Sequence, residues 1–290
     1  MSYKDVNLPE LKKQEKNIGF KIVDQSYSKI YLKGLRLALS KFINVGIKNA
    51  KIQDSSLTQV IFDDVYGRNA EFENVDFTGS TFRNCNFKKA KFNGCTFKYC
   101  KFYNTELPVS EIIRCLPTEP NLREELSKSL KVNFSQLGDK KNSDKFLDLE
   151  IKAQQVEMFE IFKSRTKYYK ERYDQIDRIE YLLKYLFSRA GGLIYGHGFK
   201  IQRLVFSFLV FILFLSLFLI GVPFSSPMGD MVRLEYLNIF YFTLSEAVGF
   251  SKYSLKPDTD MGIGVLFMAR LVGVIYLGLL SATIYRRISR

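Results

Sequence analysis

The stretch F-E-N-V-D-F-T-G-S-T-F-R-N-C-N-F-K-K-A-K-F-N-G-C-T-F-K-Y-C-K-F (Phe72–Phe102) carries phenylalanine at every fifth position without a slip. Phe72, Phe77, Phe82, Phe87, Phe92, Phe97 and Phe102 form one column. The register runs back through Phe62, Leu57, Ile52, Ile47 and Phe42 and forward to Leu107, with Gly67 as its break. Two residues before each large side chain stands a small or short one: Ser40, Val45, Ala50, Ser55, Val60, Ala70, Val75, Ser80, Cys85, Ala90, Cys95, Cys100 and Thr105. The remaining positions are polar. A period of five matches neither the helical repeat nor the two-residue strand repeat. A fixed short period instead marks a solenoid, whose repeats bury their faces only by stacking on one another.

The paired columns over Ser40–Pro108 resemble the pentapeptide-repeat family. That resemblance implies a right-handed quadrilateral β-helix, with four pentads to a coil and both columns inside. Strands stacked about 4.8 Å apart give a stub roughly 15–20 Å tall. Cys85, Cys95 and Cys100 fall in the small-residue column, and free cysteine behaves there as a small hydrophobe. With His197 as the sole histidine and no C-x-x-C pair, neither a zinc site nor another metal site is expected. Family members that mimic DNA and occupy topoisomerases such as gyrase carry an acidic surface. Here Arg83, Lys88, Lys89, Lys91, Lys98 and Lys101 point outward from the late coils, which disfavours DNA mimicry. This basic face is either a solvated surface or a contact for nucleic acid, anionic headgroups, or an unknown cytoplasmic ligand or acidic partner.

After Pro108 the five-residue register stops and helical spacing begins. Residues 1–39 read as an N-terminal cap segment, 40–108 as the solenoid, and 109–200 as a cytoplasmic α-helical linker. Ser110 and Glu111 open a short helix ending near Pro117, and Pro120 precedes another over Asn121–Lys131. Gly138–Ser143 reads as a polar loop. Asp144–Arg189 carries apolar residues three, four and seven apart, the pattern of a long amphipathic helix or a helical pair, ended by Gly191-Gly192. The segment Asp148–Arg203 is similar to the helical module that joins pentapeptide repeats to two-span channels in some bacterial proteins.

The last third is membrane-like. Leu204–Gly229 contains no charged residue, and Met261–Tyr285 contains Arg270 alone. A spanning helix needs about 20 mostly apolar residues, so spans are expected at about 204–224 and 262–285. Both lie far from the N-terminus, so neither is a signal peptide. The net charge is +13, and Lys200, Arg203, Arg286, Arg287 and Arg290 flank the two outer ends. Basic residues mark the cytoplasmic side. The expected protein is multi-pass in the plasma (inner) membrane, with both termini cytoplasmic and the lipid bilayer as a partner.

Between the spans an aromatic segment, with a pore helix expected at about 237–246, leads into S-E-A-V-G-F-S (Ser245–Ser251). Span, re-entrant segment, span resembles the two-span potassium-type channels, so residues 201–290 read as a transmembrane ion-channel domain. In such pores a short helix aims its C-terminal dipole end at the ion, and the carbonyls of T-V-G-Y-G replace its water. Ala247-Val248-Gly249-Phe250-Ser251 falls where that filter lies. Val248 and Gly249 match, and Phe250 stands for the tyrosine. Ala247 lacks the threonine hydroxyl, Ser251 replaces the second glycine, and Lys252 replaces the usual acid. Glu246, repeated once per subunit, implies a ring of carboxylates that favours cations. The resemblance therefore implies a homotetramer conducting monovalent cations, potassium or sodium, with weak discrimination and no other cofactor. Arg270 is costly inside a membrane and needs a partner. Glu246, of the same chain or a neighbour, is the expected one, and snorkelling to the headgroups is the alternative. Gly273 and Gly278 suit either a gating hinge or close helix packing. One histidine, no nucleophile motif and no phosphate loop argue against an enzyme. The alternatives to a channel are a non-conducting membrane-anchored scaffold and a membrane-depolarising defence or toxin effector.

Overall fold

The computed structural model describes residues 3–11, 16–194, 196, 201–226, 230–250 and 255–288. Ser251, Lys252, His197, Lys200 and Arg290 lie outside the described residues. The chain divides into two compact units, Met1–Leu182 and Leu183–Arg290.

In the first unit the strands from Lys16 onward pair in parallel with the segment twenty residues away: Phe72 with Ile52 and Phe92, and Phe82 with Phe62 and Phe102; Lys4–Asp5 adds to Phe20–Lys21 at the start. The result is a pentapeptide-repeat-like β-solenoid of about five turns. Both columns face inward and are buried. Rings one coil apart stack, with centroid separations of 4.8 Å for Phe62–Phe82, 4.9 Å for Phe82–Phe102 and 5.2 Å for Phe77–Phe97. Offset stacking of this kind adds to the stabilisation from buried apolar area. Gly67 interrupts the large column because its place is taken. A Cβ there would lie 2.4 Å from Cε1 of Phe87, whose ring fills the space from the next coil.

The ladder starts well before Ser40. Lys16–Ile18 pairs with Arg36–Ala38, and Lys21–Ser26 pairs with Lys41–Gly46. Much of the expected cap segment is therefore solenoid. Ile22, Leu32 and Leu37 continue the large column, whereas Gln25, Ile30 and Leu35 occupy the positions that later coils give to small residues.

Two residues after each large side chain the backbone turns a corner in the left-handed region, as at Asn74 (φ 53°), Gly79 (φ 73°), Asn84 (φ 50°), Gly94 (φ 64°) and Asn104 (φ 46°). Asparagine and glycine adopt this conformation at the lowest cost. The corner amides also bond from coil to coil, Asn74 to Asp54 and Asn104 to Asn84, each at 3.0 Å.

The last coil is followed by helices: Val109–Arg114 forms α1, Pro120–Gln136 α2, Lys140–Lys163 α3, Lys167–Arg172 α4 and Gln175–Ile194 α5, the last of which crosses the boundary between the two units. α2 lays polar side chains along the open strand edge. The backbone N–H groups of Phe102, Thr105 and Asn104 donate to Ser129 Oγ, Asn133 Oδ1 and Gln136 Oε1 at 2.9, 2.7 and 3.0 Å. Asn133 Nδ2 returns a bond to the Thr105 carbonyl at 2.8 Å. An uncovered edge would template further strands. Leu126, Leu130, Phe134 and Phe146 extend the solenoid core into the α2–α3 hairpin.

The expected long helix over Asp144–Arg189 is broken into α3, α4 and α5. Ser164, at φ 45°, terminates α3 and donates its hydroxyl to the Ile161 carbonyl. Gly191-Gly192 does not end α5, which runs on to Ile194 with Gly191 buried. Two glycines in a helix cost only about 1 kcal/mol each. The polar loop after α2 is shorter than expected, because Asp139 caps α3 by accepting from the Asn142 N–H.

The second unit holds α6 (Ile201–Leu217), α7 (Tyr236–Val248) and α8 (Asp260–Ile288). Phe224–Ser225 forms a small antiparallel sheet with Met231–Val232 and Lys256–Pro257. α6 stops short of the expected residue 224. The N–H groups of Phe218, Leu219 and Ile220 bond three residues back, and Gly221 then turns the chain at φ 77°. Among the described residues one helix, over Asp260–Tyr285, is long and apolar enough to cross a membrane, and α6 is apolar but shorter. Of the two expected spans, the helix over Asp260–Tyr285 covers the second, and α6 covers the first as far as Leu217.

Candidate functional site

α7 is held by both neighbouring helices. Ile239 and Phe242 pack with Leu219, Phe224 and Leu266, and Ala247 packs with Ile212, Leu215 and Ala269. Its C-terminus closes in a left-handed cap at Gly249 (φ 81°), where the Phe250 N–H donates to the Ser245 carbonyl at 2.9 Å. This is a Schellman-type end, which places glycine where any other residue would be strained.

Glu246 faces inward from the last turn of α7, its side chain 3% exposed. Arg270 on α8 donates to its Oε2 from Nε at 2.9 Å and from Nη2 at 2.5 Å. The guanidinium also lies at the negative end of the α7 dipole, which favours it further. The Arg270 side chain remains 63% exposed. One face of the pair is therefore built into the chain and the other is open.

The two α8 glycines differ in how closely they approach α7. At Gly273 an added Cβ would fall 1.7 Å from the Ala247 carbonyl oxygen, whereas at Gly278 it would meet nothing within 4 Å. Gly273 is thus spent on close helix packing, and α8 runs unbroken through both glycines. Glu246, Ala247, Val248, Gly249, Arg270, Val274 and Leu277 line an open recess of about 380 Å³. Of the filter positions, Ala247 and Val248 are helical, Gly249 is the cap, and Phe250 is 78% exposed. Among these described positions, Ala247–Phe250, an extended carbonyl run is not formed. The V-G-F letters suit a helix end as well as they suit a filter.

The basic face of the solenoid is partly neutralised. Lys88 pairs with Glu106 at 2.7 Å, Lys91 with Glu71 at 2.8 Å, and Lys98 with Glu119 at 2.6 Å. The hydrogen bond from Lys98 pulls the Glu119 carboxyl down to about 2. Arg83 sits over the Tyr103 ring. Glu106 lies on the last coil, but Glu71 comes from an earlier coil and Glu119 from the entrance to α2, so reading the late coils alone misses those two. Cys85, Cys95 and Cys100 lie in the core, where burial pushes each thiol up to about 12.

The first unit thus defines a pentapeptide-repeat-like solenoid, on the strength of its own ladder and columns. A family model described as the SV2A/B/C luminal domain matches residues 14–102. Among solved structures, two trypsin-treated forms of QnrB1, a plasmid-mediated fluoroquinolone resistance protein, are similar at 19% and 20% identity. The matches cover 36% and 35% of this chain and 50% and 49% of those chains, with TM-scores of 0.22 and 0.23. Full-length QnrB1 matches at 14% identity over 37% of this chain and 71% of that one, with a TM-score of 0.13. The chain spans about half the length of the first two. No curated protein matches it.

Proposed function

We propose that this chain is a membrane-associated repeat protein whose second unit assembles as a homotetramer into a cation-conducting pore. The solenoid and its helical hairpin act as the cytoplasmic gating or assembly domain. The observation that carries this reading is α7, which ends against both α6 and α8. At 1.5 Å per residue α7 is about 20 Å long and α8 about 43 Å, against a hydrocarbon core of about 30 Å. α7 is too short to cross, and its cap turns the chain back, which is how a re-entrant segment behaves. α6, extended by the tight turn that follows it, supplies the other crossing. Phe206, Phe214, Phe267 and Val274 project outward from α6 and α8, as side chains facing lipid or neighbouring subunits do. Non-helical backbone at membrane depth survives only where protein or a wet cavity surrounds it. The open side of Arg270 calls for the same cover, and a neighbouring subunit supplies both. The permeant species in this reading are potassium and sodium, weakly discriminated because the helical Ala247-Val248 offers few aligned carbonyls.

Reversal potentials of the full chain in bilayers, under potassium, sodium and chloride gradients, test the proposal. Cation-selective currents altered by Glu246→Gln are expected, and absence of conductance would overturn it.

A second reading, a non-conducting membrane-anchored scaffold, is favoured by the Glu246 carboxylate being engaged by Arg270 rather than offered to ions. Mass measurement of the chain in native nanodiscs separates the two, because a monomer or dimer cannot close a four-fold pore. Neither reading assigns an enzymatic activity to the chain.

A further inference from the structure

α5 wears its apolar side outward. Ile176, Ile179, Leu183, Leu186, Phe187 and Leu193 recur at helical spacing along one face, and Ile176, Phe187 and Leu193 are 77%, 78% and 76% exposed. At 100° per residue they share one arc, with Lys184 and Arg189 standing on its two flanks and Glu180 one turn before Lys184. A helix of a water-soluble domain turns such a stripe toward the core. Here something else must cover it.

The chain itself indicates what. The C-terminal end of α5 is fixed to the first two turns of α6: Arg203 Nη1 donates to the Gly192 carbonyl at 3.3 Å and Ser207 Oγ to the Ile194 carbonyl at 2.8 Å. α6 is an apolar helix with Phe206 70% exposed just beside those contacts. If α6 enters a bilayer, the end of α5 is held at the bilayer surface.

We propose that α5 lies in the headgroup–acyl boundary of a phospholipid bilayer, with the Ile176–Leu193 stripe in the acyl region and Lys184 and Arg189 reaching the phosphates. Amphipathic helices with basic flanks bind membranes in this way, and long cationic side chains extend along the apolar surface to the headgroups. The proposal rests on the membrane reading of the second unit and adds a second, peripheral attachment to it.

The chain contains no tryptophan, so one introduced residue reports alone. Full-length Phe187→Trp, Leu183→Trp, Tyr185→Trp and Phe267→Trp variants are reconstituted into phosphatidylcholine–phosphatidylglycerol vesicles with ordinary or brominated acyl chains. Phe267→Trp, on the exposed side of α8, monitors insertion of the second unit independently. The expected result is loss of fluorescence in brominated vesicles for Phe187→Trp, Leu183→Trp and Phe267→Trp, with Tyr185→Trp little affected. If Phe267→Trp is quenched while Phe187→Trp stays open to aqueous acrylamide, α5 is solvated and the proposal fails. If Phe187→Trp is shielded from both quenchers, protein covers the stripe, a second copy of the chain being the first candidate, and the proposal also fails. An unquenched Phe267→Trp overturns the membrane reading together with it.

Discussion

Arg270 reaches from α8 to hold Glu246 at the end of α7 through two hydrogen bonds to a single carboxylate oxygen. The carboxylate is enclosed and the guanidinium is open on its far side. The pair therefore fixes the end of the short helix while presenting positive charge outward.

Removing one member should cost more than removing both. Arg270→Gln takes the guanidinium away from a buried carboxylate, at a cost of about 3 kcal/mol or more. Glu246→Gln should be milder, because Arg270 retains an open side. The double Gln variant should regain much of the loss. Thermal unfolding of the full chain in nanodiscs, read as a double-mutant cycle, measures this. Additive effects would mean that the two residues do not act as a unit.

The two α8 glycines should respond oppositely to alanine. Gly273→Ala drives a methyl into the Ala247 carbonyl, so α7 must move away, whereas Gly278→Ala enters open space. Overpacking of this kind costs about 1–3 kcal/mol or more. The melting temperature of the full chain should fall for the first variant and hold or rise for the second. If Gly278→Ala were the damaging change, bending at Gly278 would be required after all.

A matching test applies inside the solenoid. Gly67→Ala collides with the Phe87 ring, and Phe87→Leu frees the space. Gly67→Ala alone should destabilise by about 1–3 kcal/mol, and the addition of Phe87→Leu should relieve part of that loss. Chemical denaturation followed by far-UV circular dichroism gives the coupling.

The α2–α3 hairpin should be sensitive to pH. Burial, aided by the nearby Glu124 carboxylate, raises the Glu157 carboxyl above its ordinary value of 4.5. A raised folded-state value means that folding favours the protonated form. Its contribution is complete below 4.5 and is lost as pH rises through the folded value. Glu157→Gln should flatten that slope, giving a larger stability gain at pH 7 than at pH 4. Melting temperatures of the full chain at the two pH values check the sign.

The columns of the solenoid were legible because stacking demands the same side-chain size at every coil. The corner column was equally periodic, at Asn69, Asn74, Gly79, Asn84, Gly94 and Asn104, yet reading those positions merely as polar hid its backbone role. The earlier coils escaped notice because Leu35 and Ile30 put large side chains where later coils carry small ones. At the candidate site, the cost of a lone charge in an apolar helix pointed to Glu246 for Arg270 without any structure. The helical state of Ala247 and Val248 was not readable, since neighbouring helices rather than local letters decide it. Asn133 gave no sequence signal, because its value depends on which strand edge α2 meets.

The clasp of Ser129, Asn133 and Gln136 on the final coil makes the solenoid behave like a crystal with a poisoned growth face. Four pentads return the chain to the same orientation, so α2 would meet an equivalent edge whether one coil were added or removed. Height would change by about 4.8 Å per coil while the terminus stayed the same. The solenoid is in this sense a ruler, with its length free to vary and its zero mark set by one helix.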